Sequence, residues 1–258
     1  MRRCIACSLL FVAWLAACDR VPVTERKQFV LISESQERTM GYNAARQILR
    51  TEPLLRDPAA QELVKRVGRR IAAVSGQPDY DWEFHVIDND RAINAFCLPG
   101  GKIFVYSGLL KQVKNEDELA VVMAHEVAHA LARHGAERAT LEMGARLGGA
   151  LLQLALGDED PRIADIAGRV WGYGANLGLM LPYSRKHEYE ADAIGLALMA
   201  KAGYDPQAAV TFWEGMRRAG GAKPVLAFLS THPTDDKRVA RIRKDIEAME
   251  QGKAPGKP

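Results

Sequence analysis

Hydrophobic positions recur every three to four residues along most of the chain, which predicts a largely helical protein. Ser33 and Gln36 form a capping box that begins a helix through about residue 50. A second helix is predicted from about residue 59 to 75, and later helices over about 184–201, 206–220 and 239–249. The chain shows no internal repeat, and one mostly helical domain is expected over 33–250.

Between the second and third predicted helices, the hydrophobic period shortens to two residues, as in half-buried strands. Trp82, Phe84 and Val86 alternate with the polar Glu83 and His85. Two more strands are predicted over 93–96 and 102–106, joined by the turn sequence of residues 98–101. We therefore expect the α+β class, with a small, mostly antiparallel sheet between helices.

The third predicted helix begins at a capping box of Asn115 and Glu118 and runs to about residue 140. It contains the motif His125-Glu126-Val127-Ala128-His129. Residues four apart share a helix face, so both imidazoles can bind one Zn²⁺. Glu126 lies about 100° round the helix from His125, where it can reach a water at the metal without being a ligand.

The alternative interpretation of this motif is two surface histidines on a solvated helix. The flanking positions argue against it, because residues 121–124, 127, 128 and 131 carry apolar side chains. A helix buried on nearly all sides makes two unpaired histidines and a glutamate costly. A bound metal removes that cost.

A catalytic zinc site needs a third protein ligand and one open position. A third histidine six residues after His129 is excluded, because Gly135 stands there. His134 is one residue early and is interpreted as a surface or helix-packing residue. On the helix that begins near 184, Glu188 and Asp192 share a face, whereas Glu190 points elsewhere. Glu188 as ligand and Asp192 as acceptor from a ligand histidine form a consistent site.

The N-terminus has the pattern of a targeting segment. Arg2 and Arg3 precede an apolar stretch over 5–17, which is too short to span a bilayer comfortably. The stretch ends in Leu15-Ala16-Ala17-Cys18, which resembles the bacterial lipobox, where the cysteine becomes the lipidated first residue. An ordinary secretory signal with an incidental cysteine is the alternative.

These features predict a signal peptide over 1–17, a lipidated tether over 18–32 with one short extended piece over 28–32, and a disordered tail over 251–258. The predicted location is the periplasmic side of the bacterial envelope, with a lipid anchor at Cys18. Asp19 after the cysteine resembles the signal for retention in the inner membrane of enteric bacteria, and the choice between inner and outer membrane stays open. The apolar segment 143–181 is interpreted as buried helices, with a mobile lid or a membrane-resting patch as alternatives.

Composition adds two constraints. The formal net charge of +3 gives no nucleic-acid footprint. Loss of residues 1–17 leaves Cys97 as the one cysteine besides Cys18, so no internal disulfide can form and stability must come from the core, the metal or both. Cys97 is interpreted as a buried structural thiol.

Taken together, the motifs resemble peptidase family M48 over roughly residues 30–248. The matching pieces are Asn94-Ala95-Phe96 with residues 98–101, the motif over 125–129, Ser184-Arg185 with 188–192, and Ser230-Thr231-His232-Pro233. They look most like the periplasmic lipoprotein branch without helical TPR repeats. The resemblance implies a zincin-type peptidase domain that holds one Zn²⁺ per chain.

The resemblance also implies roles for individual residues. It implies Glu188 as the third ligand, and His232 as a residue that approaches the metal, binding the transition state or occupying the fourth position in a latent form. It implies that Arg238 stabilises the developing oxyanion. Asn94 and Ala95 resemble an edge strand that pairs with extended peptide.

The expected function is a zinc metalloendopeptidase that cleaves misfolded or mis-assembled envelope proteins, with Glu126 as the general base. The first competing hypothesis is a zinc-binding envelope chaperone or assembly factor with latent proteolysis. Two further hypotheses are a structural zinc protein without an open site and a zinc hydrolase that acts on a non-peptide substrate. The oligomeric state stays open.

Overall fold

The computed structural model of this 258-residue chain describes residues 18–144, 184–219, 229, 232–233 and 235–256. The predicted signal peptide lies outside these residues, as does all of the apolar segment 143–181 except its first two residues. The chain divides into two compact units, one formed by 1–20, 27–33 and 135–181, and the other by 21–26, 34–134 and 182–258. The second unit contains every candidate site residue except Cys18.

The helices and strands with defined bounds among the described residues are as follows. The helices are α1 Glu34–Thr51, α2 Pro58–Ala73, α3 Ser107–Leu110, α4 Glu116–Leu131, α5 Arg185–Lys201, α6 Ala208–Arg218 and α7 Asp236–Glu250. The strands are β1 Cys18–Arg20, β2 Lys27–Phe29, β3 Glu83–Ile87, β4 Ala95–Leu98 and β5 Lys102–Tyr106. The predicted class, mostly helical α+β, is confirmed.

The predicted tether over 18–32 contains ordered structure. In the first unit, β1 and β2 pair antiparallel with Cys18 opposite Phe29, and the amide of Leu31 donates to Thr140 Oγ1 at 3.0 Å. In the second unit, Thr24 and Arg26 hydrogen-bond the Glu190 carboxylate. These side-chain contacts could not be read from the local sequence, because their partners lie more than a hundred residues away.

The three-stranded sheet of the second unit is mixed, where the sequence predicts a mostly antiparallel one. Its order is β3-β5-β4, with β4 antiparallel and β3 parallel to β5. Gly100 and Gly101 have φ values of 86° and 89°, which suits the tight turn between β4 and β5. The chain over 88–94 carries β4 to the far side of β5, so β3 and β4 are not neighbours.

Helix α4 forms the centre of the second unit and packs against α2, α5, α6 and β4. Every residue from Glu118 to Leu131 is buried, as the apolar flanks of the motif predict. Asn115 caps the helix by accepting from the Glu118 amide at 2.9 Å. Surrounding elements therefore exclude water from the helix that carries the two histidines.

Helix α4 ends at Leu131, about nine residues earlier than the sequence predicts. Arg133 adopts a left-handed conformation with φ of 52°, and helical backbone resumes over 134–144. A non-glycine residue rarely adopts this conformation without support. Here Arg133 Nε and Nη2 donate to Glu37 Oε1 at 2.9 and 2.7 Å. The turn therefore depends on a tertiary ion pair, which helix periodicity cannot reveal.

Two glycines in helix interiors give a matched test of the packing. A Cβ at Gly41 in α1 would lie 2.0 Å from the Pro99 carbonyl oxygen, whereas one at Gly215 in α6 meets nothing within 4 Å. We expect Gly41→Ala to destabilise the protein by about 1–3 kcal/mol, because backbone must shift. Gly215→Ala should stabilise it by about 0.5–1 kcal/mol. Urea unfolding of both variants checks this, and a harmless Gly41→Ala would contradict the packing of α1 on the β4–β5 turn.

The C-terminal residues over 251–256 pack on the second unit, where the sequence predicts a disordered tail over 251–258. Pro255 is buried, and the Gly256 amide donates to Asp245 Oδ1 at 2.9 Å. Residues 257–258 lie outside the described part. The glycine-rich, charged composition of the tail gives no sign of these contacts, which depend on a buried proline and on a backbone amide that donates to a side chain.

Among the described helices, none is both long enough and apolar enough to cross a membrane.

Candidate metal centre

Helix α4 places the two motif histidines side by side in the core of the second unit. His125 Nε2 and His129 Nε2 lie 3.1 Å apart, because residues four apart stand on one helix face. Glu188, in the first turn of α5, reaches both: its carboxylate oxygens lie 3.4 Å from His125 Nε2 and 3.3 Å from His129 Nε2. The side chains of all three residues are at most 3% exposed.

His232 completes the cluster from the segment before α7. Its Nδ1 lies 3.2 Å from His125 Nε2 and 3.3 Å from Glu188 Oε2. One ligand atom from each of His125, His129, Glu188 and His232 lies within 4.8 Å of the others. The structure therefore brings together all four residues that the sequence and the resemblance associate with the metal.

The spacing of these atoms fits zinc. Zinc holds nitrogen and oxygen ligands at about 2.0–2.1 Å, so the edges of its tetrahedron are about 3.3–3.4 Å long. The neighbouring ligand atoms here lie 3.1–3.4 Å apart. Glu188 Oε1 is buried and accepts no hydrogen bond from the described residues. A cation at the centre of these atoms would satisfy the buried lone pairs that converge there.

Electrostatics around Glu188 favour its charged form. Burial alone raises the pKa of this carboxyl, but His125, His129 and His232 outweigh burial and hold the pKa well below its usual range. Burial lowers the pKa of His129 well below its usual value. Burial lowers the pKa of His125, but Asp192 and Glu188 outweigh burial and raise the pKa to about 9. The Glu188 carboxylate and the neutral His129 imidazole are protonation states that bind a metal, and His125 must lose its proton to do so.

Glu126 lies beside the cluster and is not among its members. Its Oε1 lies 3.3 Å from His232 Nε2 and accepts no hydrogen bond from the described residues. Burial raises the pKa of the Glu126 carboxyl, with His232 and His125 opposing the effect. A buried carboxylate with a raised pKa is suited to accept a proton and pass it on.

Asp192 and Arg238 contact the candidate ligands His125 and Glu188. Asp192, one turn along α5 from Glu188, places Oδ1 3.0 Å from His125 Nδ1. Arg238 donates to both Asp192 oxygens at 2.7 and 2.8 Å, and its Nη1 lies 2.9 Å from Glu188 Oε2. Burial lowers the pKa of Arg238, but Asp192 and Glu188 reverse the effect and raise it.

Trp213 on α6 supports this arginine and was missed by sequence reasoning. The Arg238 guanidinium lies 3.6 Å from the Trp213 ring centroid, and the His125 ring meets the same indole edge-on at 5.8 Å. A lone tryptophan on an amphipathic helix carries no signal for such a role. A cation–π contact between a desolvated arginine and a tryptophan ring stabilises the pair by about 2 kcal/mol.

Comparison with known proteins decides the family. Residues 58–246 match the model of Peptidase family M48. The chain belongs to peptidase family M48. This confirms the resemblance drawn from the motifs, and it places the chain among hydrolases that act on peptide bonds.

Curated M48 relatives match most of this chain. The mitochondrial metalloendopeptidase OMA1 of Schizosaccharomyces pombe is 41% identical over 237 residues, which cover 90% of this chain and 68% of the relative. OMA1 of Saccharomyces cerevisiae is 33% identical over 256 residues, covering 92% and 71%. The beta-barrel assembly-enhancing protease of Escherichia coli is 31% identical over 247 residues, covering 92% and 49%. The chain spans about half the length of the E. coli relative.

The strand predicted to pair with substrate packs against the helix that carries the two motif histidines. Among the described residues, β4 pairs with β5 alone, and it packs against α4. Ala95 begins β4, and Asn94 stands just before it with its Oδ1 accepting from the Ala95 amide at 2.9 Å. Cys97, on the same strand, is half-buried rather than fully buried.

His134 and Glu190 form a buried pair next to the candidate ligand His129. Burial excludes the surface interpretation of His134, and the helix-packing interpretation remains. His134 is fully buried, and its Nδ1 lies 2.8 Å from His129 Nδ1. Its Nε2 lies 3.0 Å from Glu190 Oε2. Burial lowers the pKa of His134 to about 4, against the opposing effect of Glu190. The left-handed turn at Arg133 redirects His134, and only the spacing of an unexplained histidine near the motif could have pointed to it.

Proposed function

We propose that this M48 peptidase is a zinc-dependent metalloendopeptidase that holds one Zn²⁺ through His125, His129 and Glu188. The observation that supports this most is the convergence of three buried ligand side chains at tetrahedral spacing, with Glu126 beside them. A bound Zn²⁺ supplies Lewis-acid chemistry, because it polarises a peptide carbonyl and lowers the pKa of water.

The residues around the metal transfer the proton, orient a ligand and stabilise developing charge. Glu126 takes a proton from the attacking water and delivers it to the leaving amine. Asp192 orients His125 through its Nδ1 and fixes the ring tautomer. The Arg238 guanidinium, whose Nη2 lies 3.5 Å from His125 Nε2, stabilises negative charge that develops on the substrate carbonyl. It does so from a position fixed by Asp192 and Trp213.

His232 has two roles in this proposal. In the described conformation it is buried, in contact with both Glu188 and Glu126, and so occupies the fourth side of the cluster. Arg238 Nη1 donates to the Pro233 carbonyl at 3.1 Å and thereby holds the His232 segment in place. This arrangement corresponds to a latent state. Displacement of His232 opens the fourth position, where the same imidazole can hydrogen-bond the transition state.

The substrate is proposed to be an extended segment of polypeptide. The edge of β4 that faces away from β5 offers backbone groups to such a segment, next to the helix that carries the metal ligands. Asn94 and Ala95 lie at the start of that edge. Recognition through backbone groups suits chains that expose extended segments, such as misfolded or mis-assembled proteins.

We place this activity at the bacterial cell envelope, with lipid at Cys18 as the membrane anchor. The support is the lipobox-like sequence before Cys18 and the E. coli relative, whose name is beta-barrel assembly-enhancing protease. Other relatives are named as mitochondrial metalloendopeptidases. Globomycin, which blocks lipoprotein signal cleavage, separates the two settings: accumulation of the precursor supports the lipoprotein, and unaffected processing contradicts it.

The function is tested by comparing membrane proteomes of cells that express the active protein or the Glu126→Gln variant. Envelope proteins that accumulate intact with the variant, and co-purify with it, support the endopeptidase. A variant that fully restores the phenotype of a deletion strain supports the chaperone or assembly factor instead. The zinc content of both proteins serves as the control, since Glu126 is not a ligand in this proposal.

The proposed role of Glu188 as a zinc ligand is tested by the zinc affinity of the Glu188→Gln variant. Glu188→Gln removes the anionic ligand while it keeps the side-chain volume, so zinc affinity should fall by at least the roughly 10–100-fold seen when supporting groups are lost. Competition against a chromogenic chelator measures it. Glu247→Gln, at an exposed position of α7, is the matched control. Unchanged zinc affinity in Glu188→Gln would remove Glu188 from the ligand set.

A further inference from the structure

A hydrogen-bonded chain leads away from the ligand His129 on the side opposite the metal cluster. His129 Nδ1, the ring nitrogen outside the cluster, lies 2.8 Å from His134 Nδ1. His134 Nε2 lies 3.0 Å from Glu190 Oε2. All three side chains are buried, with His134 fully excluded from solvent.

The outer end of this chain is held in place by the N-terminal segment of the second unit. Arg26 Nε donates to Glu190 Oε2 at 2.7 Å, and the Thr24 hydroxyl donates to Glu190 Oε1. Both carboxylate oxygens of Glu190 are therefore engaged. Buried polar groups are worth the cost of desolvation when every member of the network is satisfied, and such networks rigidify the side chains they contain.

The backbone is bent to bring His134 into this chain. In a straight helix, five residues after His129 correspond to about 140° round the axis, which would turn His134 away from His129. The left-handed φ of 52° at Arg133 prevents this and is held by the ion pair with Glu37. An uncommon backbone conformation that persists through a specific ion pair is a reason to look for a function.

The protons of this chain can be placed in one way when His129 binds a metal. A ligand nitrogen is unprotonated, so the neutral His129 ring carries its proton on Nδ1. Nδ1 then donates to His134 Nδ1, which must accept. The His134 ring carries its own proton on Nε2 and donates it to the Glu190 carboxylate. Each member thereby sets the tautomer of the next.

We propose that His134 and Glu190 are positioning residues for the metal ligand His129. Glu190 fixes the tautomer of His134, and His134 in turn fixes the ring orientation of His129 and directs its Nε2 lone pair into the cluster. Asp192 holds His125 from the other side, so each motif histidine has its own support. The inference rests on the proposed zinc site, and it concerns how tightly that site holds its ion.

The test measures zinc affinity by chelator competition in the full-length protein. His134→Phe keeps the ring volume and removes the acceptor, and it should weaken zinc binding by about 10–100-fold. His134→Asn keeps an oxygen near the position of Nδ1, so its zinc affinity should fall less than that of His134→Phe. Glu190→Gln should weaken zinc binding as well, because it removes the charge that fixes the His134 tautomer. His85→Phe is the control, since His85 Nε2 lies 2.9 Å from Glu83 in a similar pair outside the site.

Equal zinc affinity in His134→Phe and the unaltered protein would overturn the proposal, and so would equal losses in His134→Phe and His134→Asn. Imidazole ¹⁵N NMR of the unaltered, zinc-loaded protein provides a reading that no folding defect can affect. It should show His134 protonated on Nε2, and protonation on Nδ1 instead would contradict the chain of donors. A protein that binds no zinc at all would contradict the proposed function, a result distinct from these.

Discussion

Replacing Glu126 with Gln is expected to lower kcat for peptide hydrolysis by about 10²–10⁴-fold, the range that general base catalysis contributes. Glutamine has nearly the same shape but cannot accept the proton of the attacking water. The buried Glu126 carboxylate lies 3.3 Å from His232 and outside the ligand set, so its loss should leave zinc binding intact. Cleavage of an unfolded, fluorescently quenched polypeptide by the purified, zinc-loaded proteins measures the effect.

The matched control for this experiment is Glu62→Gln, at an exposed position of α2. It removes the same charge from the same protein and should retain full activity. Full activity in Glu126→Gln with normal zinc content would end the mechanism proposed above. Loss of both zinc and activity would instead make Glu126 part of the metal site.

The largest expected effect on stability comes from Arg238→Met. This guanidinium is 1% exposed, pairs with both Asp192 oxygens and lies 2.9 Å from Glu188. Methionine fills much of the volume, but it removes the cation that pairs with two buried carboxylates. Breaking a buried pair in this way costs about 3–5 kcal/mol. Urea unfolding of the zinc-free protein measures the difference without a contribution from bound metal.

Arg243→Met provides the comparison, because Arg243 forms an exposed ion pair with Glu214 at 2.6 Å. Exposed pairs of this kind contribute about 0–1 kcal/mol. A loss in Arg238→Met that does not exceed the loss in Arg243→Met would show that the buried pair with Asp192 does not brace the site. Normal stability combined with reduced kcat would favour an arginine that acts on the substrate alone.

Local sequence patterns predicted the parts of the site that lie within single helices. His125 and His129 depend on a four-residue spacing and on the apolar flanks of α4, both of which are visible in the sequence. Glu188 and Asp192 share a face of α5 for the same reason. Helix periodicity is a local property, so these pairs could be placed before any tertiary contact was known.

Features that depend on tertiary contacts could not be predicted from the sequence. The end of α4 is set by the ion pair between Arg133 and Glu37, which are 96 residues apart. That turn brings His134 to His129 and thereby assigns Glu190 a partner. The packed C-terminal residues and the parallel pairing of β3 with β5 likewise depend on distant partners. The roles of His232 and Arg238 could be predicted only from the family resemblance. In the sequence itself, His232 belongs to a turn and Arg238 is a cation on a helix surface, and neither pattern indicates a function.

The most direct test of the proposed metal centre is anomalous diffraction at the zinc absorption edge from crystals of the purified protein. We expect one zinc peak per chain, at about 2.0–2.2 Å from His125 Nε2, His129 Nε2 and a Glu188 oxygen. At limiting zinc, the peak should be weakened in Glu188→Gln and retained in Glu126→Gln. No peak at these residues, or a zinc ligated by Glu126 in place of Glu188, would contradict the proposed metal centre.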